Sequence, residues 1–177
     1  MTSLIYSDTR QQSGKHTVKE DWWASHGIEI VRKKLDFGDY MTPGSNYSID
    51  TKRNVAEIAQ NIGGRGHVRF KNECIRARDA GWRLVVLVEN ANGYTCIKNV
   101  NAWTNDHCMR CAWFKARKCN PHKAGKCPKH ETRPPIQGPR LAKAMNTMSE
   151  RYGVRFEFCR PAEAARRICD LLGVAYE

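Results

Sequence analysis

The chain has 177 residues, enough for one α/β domain with an embellishment, and no run approaches the roughly 20 apolar residues that span a bilayer. Its 30 Lys and Arg outnumber 18 Asp and Glu, giving a net charge of +12 and a pI near 9.5. That balance favours a polyanionic partner and argues against a membrane-spanning protein. No basic, apolar and small-residue leader opens the chain, so an intracellular protein is expected, in a bacterium or a phage-infected host.

A strand is predicted over 3–7, running into Asp8-Thr9-Arg10-Gln11. A helix near 17–26 stops at Gly27, and strands over 28–34 and 47–52 follow, joined by a turn at Pro43-Gly44-Ser45-Asn46. Asn54 and Glu57 stand at the N-cap and third positions of a helix reaching Ile62. Gly63-Gly64-Arg65-Gly66-His67 breaks the chain, as a hinge between two helices or a phosphate cradle without the Lys-Ser/Thr of a P-loop. A second helix runs to Ala80 with Phe70, Cys74 and Ala77 on one side. Leu84-Val85-Val86-Leu87-Val88 is apolar throughout, as a strand covered on both faces requires. Leu141, Met145, Met148 and Tyr152 recur at helical spacing before Gly153. Pro161 opens a last helix whose stripe of Ala165, Ile168, Cys169 and Leu172 stops at Gly173. Alternating strands and helices predict an α/β fold, a mixed sheet flanked by helices.

Asp39 and Asp50-Thr51-Lys52, spaced D-x10-D-x-K, carry the chemistry. Two carboxylates can hold a hard divalent cation, and a lysine can orient the attacking water against a phosphodiester. In a strand over 47–52, Ser48, Asp50 and Lys52 share one face. Glu57 has two roles open, completing a capping box or adding an acid to the metal site.

Cysteine usage is uneven. Cys74, Cys96, Cys159 and Cys169 lie in apolar segments and are expected in the core, whereas Cys108, Cys111, Cys119 and Cys127 cluster as C-x2-C-x7-C-x7-C. Residues 106–135 hold eight Lys and Arg against two acids and few apolar side chains, so burial alone could hardly fold them. A structural Zn2+ would supply the missing cohesion, with His107, His122 and His130 as alternative ligands to a cysteine. Four thiolates leave no open position for catalysis. The insert, residues 103–135, would present Lys115, Arg117 and Lys118, with Arg110, Lys123, Lys126 and Lys129, to phosphates. The core is then 1–102 with 136–177.

The run Asp8-Thr9-Arg10-Gln11, then Leu35-Asp36-Phe37-Gly38-Asp39-Tyr40, then Asp50-Thr51-Lys52-Arg53, then an aliphatic strand ending at Glu89, resembles the nuclease domain of the XPF family in the PD-(D/E)xK superfamily. That family shows D-x-R-E, L-x-x-G-D-Y and E-R-K in this order. The resemblance covers residues 3–90 and resumes over 152–172. It implies a restriction-endonuclease-like fold and a Mg2+- or Mn2+-dependent DNA endonuclease acting on branched or flapped DNA. Asp39 and Asp50 would bind the cation, with Asp8 as a further ligand or water-holding acid, Lys52 assisting the water, and Glu57 matching the acid after E-R-K. His67 and Arg69 fall where the family approaches DNA, Arg69 as the stronger contact, and Arg10 and Arg53 are expected to contact DNA as well. Asp50 replaces the family's glutamate and Thr51 its arginine. The resemblance does not extend to the helix-hairpin-helix domain that usually follows, so substrate would be found through the insert, a homodimer or a partner protein. The rival expectation is a non-catalytic, zinc-containing nucleic-acid-binding or scaffold subunit.

Overall fold

The computed structural model describes residues 3–11, 17–123, 127–129 and 134–177. Six strands, β1 (Ser3–Asp8), β2 (Ile28–Lys33), β3 (Tyr40–Met41), β4 (Tyr47–Lys52), β5 (Arg83–Glu89) and β6 (Arg155–Cys159), form one mixed sheet in the order β2-β1-β3-β4-β5-β6. β1 and β2 run parallel, as do β4, β5 and β6, while the two-residue β3 pairs antiparallel to both β1 and β4. The connection between β2 and β4 therefore contains a strand ahead of the expected turn at Pro43-Gly44-Ser45-Asn46. Tyr40 and Met41 are too short a stretch for alternation to show, and their pairing places β4 at the centre of the sheet rather than beside β2.

Helices cover both faces. On one side lie α2 (Val55–Gly63), α3 (His67–Asp79), α4 (Ile97–Val100) and α7 (Gly138–Tyr152); on the other lie α1 (Thr17–Ser25) and α8 (Ala164–Leu172). β5 divides between the layers. Leu84, Val86 and Val88 pack with Ile58, Phe70, Leu141 and Met145, whereas Val85 and Leu87 pack with Ile5, Trp23, Ile49 and Ile168. This is why β5 is apolar along its whole length. Met145 and Met148 are core residues, as their spacing predicts, and Gly153 and Gly173 end α7 and α8 in the left-handed conformation. Pro161 starts a short 3-10 turn, Pro161–Glu163, ahead of α8 rather than the α-helix itself.

Of the four scattered cysteines, Cys74 and Cys169 are buried and Cys159 is half-buried. Cys96 corrects the expectation: it is exposed, because it sits outside the core in the turn before α4, with its thiol against Asn99 Oδ1. No described helix is long and apolar enough to cross a membrane.

β1, β4 and β5 point the same way, so their last residues, Asp8, Lys52 and Glu89, gather along one edge of the sheet. In open α/β sheets, the carboxyl ends of the strands are where ligand crevices form.

Candidate active site

A cleft of about 660 Å3 opens at that edge, lined by Asp8, Arg10, Asp39, Asp50, Lys52, Arg53, Glu57 and Arg69, together with Gln11, Lys19, Asn61, Glu73, Arg76 and Glu89. The core residues chosen from sequence are thus brought to one place. The pleat of β4 turns Ser48, Asp50 and Lys52 to the same face, where all three are buried. Asp39 is set by the turn before β3. Gly38 has φ of +69°, and a Cβ there would stand 2.1 Å from Ser48 Oγ and 3.0 Å from the Ile49 carbonyl oxygen. Only glycine lets this turn press against β4, where Asp39 N donates to Ile49 O at 2.7 Å.

Three carboxylates each commit one oxygen. Asp39 Oδ2 accepts from Thr51 N (2.8 Å) and Thr51 Oγ1 (2.6 Å), Asp50 Oδ1 from Lys52 Nζ (2.6 Å), and Glu73 Oε1 from Gly38 N (2.9 Å). The second oxygen of Asp50, Oδ2, is buried and has no partner. A buried carboxylate oxygen left without a donor or a cation is costly. Burial and the neighbouring Asp39 and Glu73 charges push the Asp50 carboxyl up to about 7, against the pull of Lys52. Burial also opposes charge on Lys52, but the Asp50 carboxylate outweighs it and lifts the amine above its ordinary value. Lys52 therefore stays an ammonium at neutral pH.

The chemistry of these donors fits a hard cation: carboxylate oxygens, one of them orphaned, at a crowded negative site. Among the described residues, no group of three or more His, Cys, Asp or Glu side chains stands assembled to hold a metal ion. Lys52 occupies the position beside Asp50 that positive charge would take.

Asp8 and Glu57 are otherwise engaged. Both oxygens of Asp8 accept from Arg10, which also donates to Leu35 O at 2.7 Å. Burial raises the Asp8 carboxyl, but the bonds from Arg10 more than offset this and hold it below the usual range. Glu57 sits at the start of α2: the N-cap Asn54 Oδ1 accepts from its amide at 2.8 Å, and its Oε2 accepts from Arg53 N, one residue before the cap, at 2.9 Å. It lines the cleft in the same pose.

Glu73, Arg76, Lys19 and Glu89 are cleft residues that sequence reasoning missed. Arg69, Glu73 and Arg76 recur at i, i+4 and i+7 on α3, a polar stripe beside the apolar Phe70, Cys74 and Ala77, and that stripe was a legible signal. Lys19 left no such trace; it is buried in α1 and paired with Glu89 at the end of β5. A larger groove of about 1300 Å3 lies at the opposite strand ends, around Tyr47, Arg155 and Arg167, with Asp170 as its one acid among the described residues.

The basic residues Lys115, Arg117 and Lys118 are exposed on the insert and are not among the cleft residues. Two one-turn helices, α5 (Asp106–Met109) and α6 (Ala112–Lys115), carry its first half. Cys108, Cys119 and Cys127 line a cavity of about 630 Å3 together with His122, whose Nε2 meets Thr104 Oγ1 at 2.8 Å. Burial pushes the Cys108 thiol up, opposed by a bond from Gln137 Nε2 (3.1 Å) and aided by the nearby Cys127, Cys119 and Cys111. The Phe114 and Trp113 amides lower the half-buried Cys111 thiol. His130 and Lys126 lie outside the described residues, as does His16. At the neck, Gly138 N donates to Trp103 O at 2.9 Å and Gln137 Oε1 accepts from Asn105 N at 3.0 Å, tying the two ends of the insert together.

No family model and no curated protein sequence matches the chain. Among solved structures, it is similar to XPF from Aeropyrum pernix, with 15% identity and a TM-score of 0.56 over 96% of this chain and 63% of that one. A structure of XPF from Aeropyrum pernix in complex with DNA matches with 14% identity and a TM-score of 0.56, over 97% of this chain and 64% of that one. The fold is XPF-like. The chain spans less than two thirds of the length of these neighbours, and at such identities the likeness is one of fold.

Proposed function

We propose that the chain is a Mg2+- or Mn2+-dependent endodeoxyribonuclease. The observation that carries this reading is the buried, partnerless Oδ2 of Asp50 beside Asp39 and Glu73. Asp50 and Asp39 would hold the cation, with Glu73 as a third oxygen donor. The bound ion would polarise the scissile phosphate and offset the charge that develops on it. Lys52, protonated at neutral pH, donates a hydrogen bond to the attacking water or to a phosphate oxygen and takes no proton itself. Asp8 supports the cleft through Arg10 instead of ligating, and Glu57 acts chiefly in fixing the entry to α2 beside its cap Asn54. Arg53, Arg69 and Arg76 supply positive charge where a DNA backbone would enter. The DNA complex of the XPF neighbour supports DNA as the substrate, and branched or flapped DNA is the preferred form we infer from the same likeness.

Residues 103–135 form, in this proposal, a unit held by one structural Zn2+ on Cys108, Cys111, Cys119 and Cys127, with His122 as the described substitute ligand. In its support, three of the cysteines share a cavity, and Gln137 and the α6 amides donate toward two of the sulfurs, as outer partners of thiolate ligands do. Recruitment through a homodimer or a partner protein, inside a cell, completes the proposal.

Nicking of supercoiled plasmid tests it. Mg2+ should support nicking by the native protein and not by Asp50→Asn. Equal nicking by both proteins overturns the assignment. DNA binding without nicking under Mg2+ or Mn2+ would instead support the non-catalytic scaffold.

A further inference from the structure

The insert combines charge with an exposed aromatic surface. Trp113 on α6 is 47% exposed and Met109 on α5 is 50% exposed, while the other four tryptophans are buried or half-buried. α6 buries none of its residues. Lys118 Nζ stands 6.0 Å from the centre of the Trp113 ring. The chain reaches that position through Arg117, whose φ of 57° makes it the one non-glycine with positive φ among the described residues. The turn it makes returns Lys118 N to Trp113 O at 3.0 Å. Arg110, Lys115, Arg117, Lys118 and Lys123 face a single acid, Asp106, over residues 106–123.

We infer that Trp113 is a stacking platform for an unpaired nucleobase, with Lys115, Arg117 and Lys118 holding the adjoining phosphates. This deepens the nuclease reading, on which it rests, by naming single-stranded DNA as the part of the substrate that the insert grips. Paired bases in a duplex have their faces covered by their neighbours, so an exposed indole finds a free π-face only at a flap, gap or junction. The row of cations fixes the charge of the occupant as negative, which a strand backbone supplies along its whole length. Position agrees. A Cβ on Gly63 would meet Ile136 Cδ1 at 3.0 Å, so the chain just beyond the insert lies against the end of α2. About 9 Å of helix separates Gly63 from Glu57 in the cleft. A strand end released beside the cleft would be within a few nucleotides of the neck from which the insert springs.

The test measures binding in Asp50→Asn protein with no divalent cation added, so it is independent of cleavage. Probes are labelled oligothymidylate and a blunt duplex of equal length. Trp113→Ala should weaken oligothymidylate binding about 5- to 160-fold, the range one base stacked on an aromatic ring contributes. The salt dependence should be unchanged, because no charge is removed, and duplex binding should change less than about twofold. Trp113→Phe should retain most of the affinity. Unaltered oligothymidylate binding by Trp113→Ala, as a protein-docking role for the indole predicts, overturns the inference, and so does an equal loss on duplex. A check that needs no folded alanine variant is tryptophan emission: oligothymidylate should quench it in native protein and far less in Trp113→Phe, and no quenching in native protein overturns the inference. Cleavage that fails while stacking holds would sink the proposed chemistry alone, and the reverse result would sink the platform alone.

Discussion

Lys52 Nζ donates to Asp50 Oδ1 at 2.6 Å from two residues along the same strand, and Asp50 Oδ2 beside it is buried with no partner. One side chain thus holds half of a carboxylate and leaves the other half for something positive. In the absence of a cation the pair partly neutralises itself. Crowding by Asp39 and Glu73 keeps that neutralisation incomplete.

Stability without metal should therefore depend on pH with a definite sign. The Asp50 carboxyl is raised from 3.8 to about 7 in the folded protein. Its favourable contribution is fully present below the unfolded value and is lost as pH rises through the folded one. Thermal unfolding of metal-free protein should shift to lower temperature between about pH 4 and 7 and level off above. Asp50→Asn should flatten this profile. A pH profile identical in the two proteins would remove the argument.

Added Mg2+ should oppose that loss. A ligand that binds only the folded state stabilises it in proportion to ln(1 + [L]/Kd), and here it binds the ionised carboxylates. The native protein should gain Tm with Mg2+ at pH 8 far more than at pH 5. Asp39→Asn and Asp50→Asn should gain little at either pH. Cleavage by these variants and by Lys52→Ala should fall at least about 100-fold, the scale on which one charge-stabilising group contributes.

The strands and most helices were legible because their patterns repeat over several turns or pleats. The apolar run of β5 and the stripe of Leu141, Met145 and Met148 leave few alternatives. β4 was legible in more detail, since the period of two alone put Asp50 and Lys52 on one face. β3 was not legible: Tyr40 and Met41 are held by pairing to β1 and β4, a long-range cause with no local trace. Lys19 and Glu89 were missed for the same reason, being 70 residues apart in sequence and joined only by the fold. Arg10 and Glu57 line the cleft, but their bonds to Asp8 and the Arg53 amide depend on rotamers that sequence does not specify.

Gly38 should tolerate no side chain. Its φ of +69° strains any L-residue, and the added Cβ would meet Ser48 Oγ and the Ile49 carbonyl. Gly38→Ala should cost about 2–4 kcal/mol by chemical denaturation, combining strain with the clash. It should also displace Asp39 and abolish nicking. Wild-type stability and activity in Gly38→Ala would mean that the turn relaxes and does not position Asp39.

Purified protein should carry about one zinc per chain by elemental analysis, and Cys108→Ser or Cys127→Ser should release it. Magnesium should leave that zinc in place, because a thiolate set prefers the softer ion. Gln137→Leu removes a donor to the Cys108 sulfur while keeping an apolar stem in the neck, and should weaken zinc retention against a chelator about 10-fold. Protein purified without chelator and free of zinc would remove the metal from the insert altogether.

The salt dependence of duplex binding should locate the phosphate contacts. Each phosphate neutralised on duplex DNA contributes about −0.9 to the slope of log affinity against log salt. Lys115, Arg117 and Lys118 are exposed on the insert, and among the described residues no base-reading helix accompanies them, since α6 spans one turn. Replacing all three with glutamine should lower the slope by about two to three units, uniformly across sequences. Arg69→Gln in the cleft should lower it by about one unit and slow cleavage as well, because Arg69 shares the cleft with Asp50. An unchanged slope in the triple variant would take duplex phosphates off the insert and leave it contacts to the single strand alone. An unchanged slope in Arg69→Gln would take the backbone out of the cleft, and the proposed hydrolysis with it.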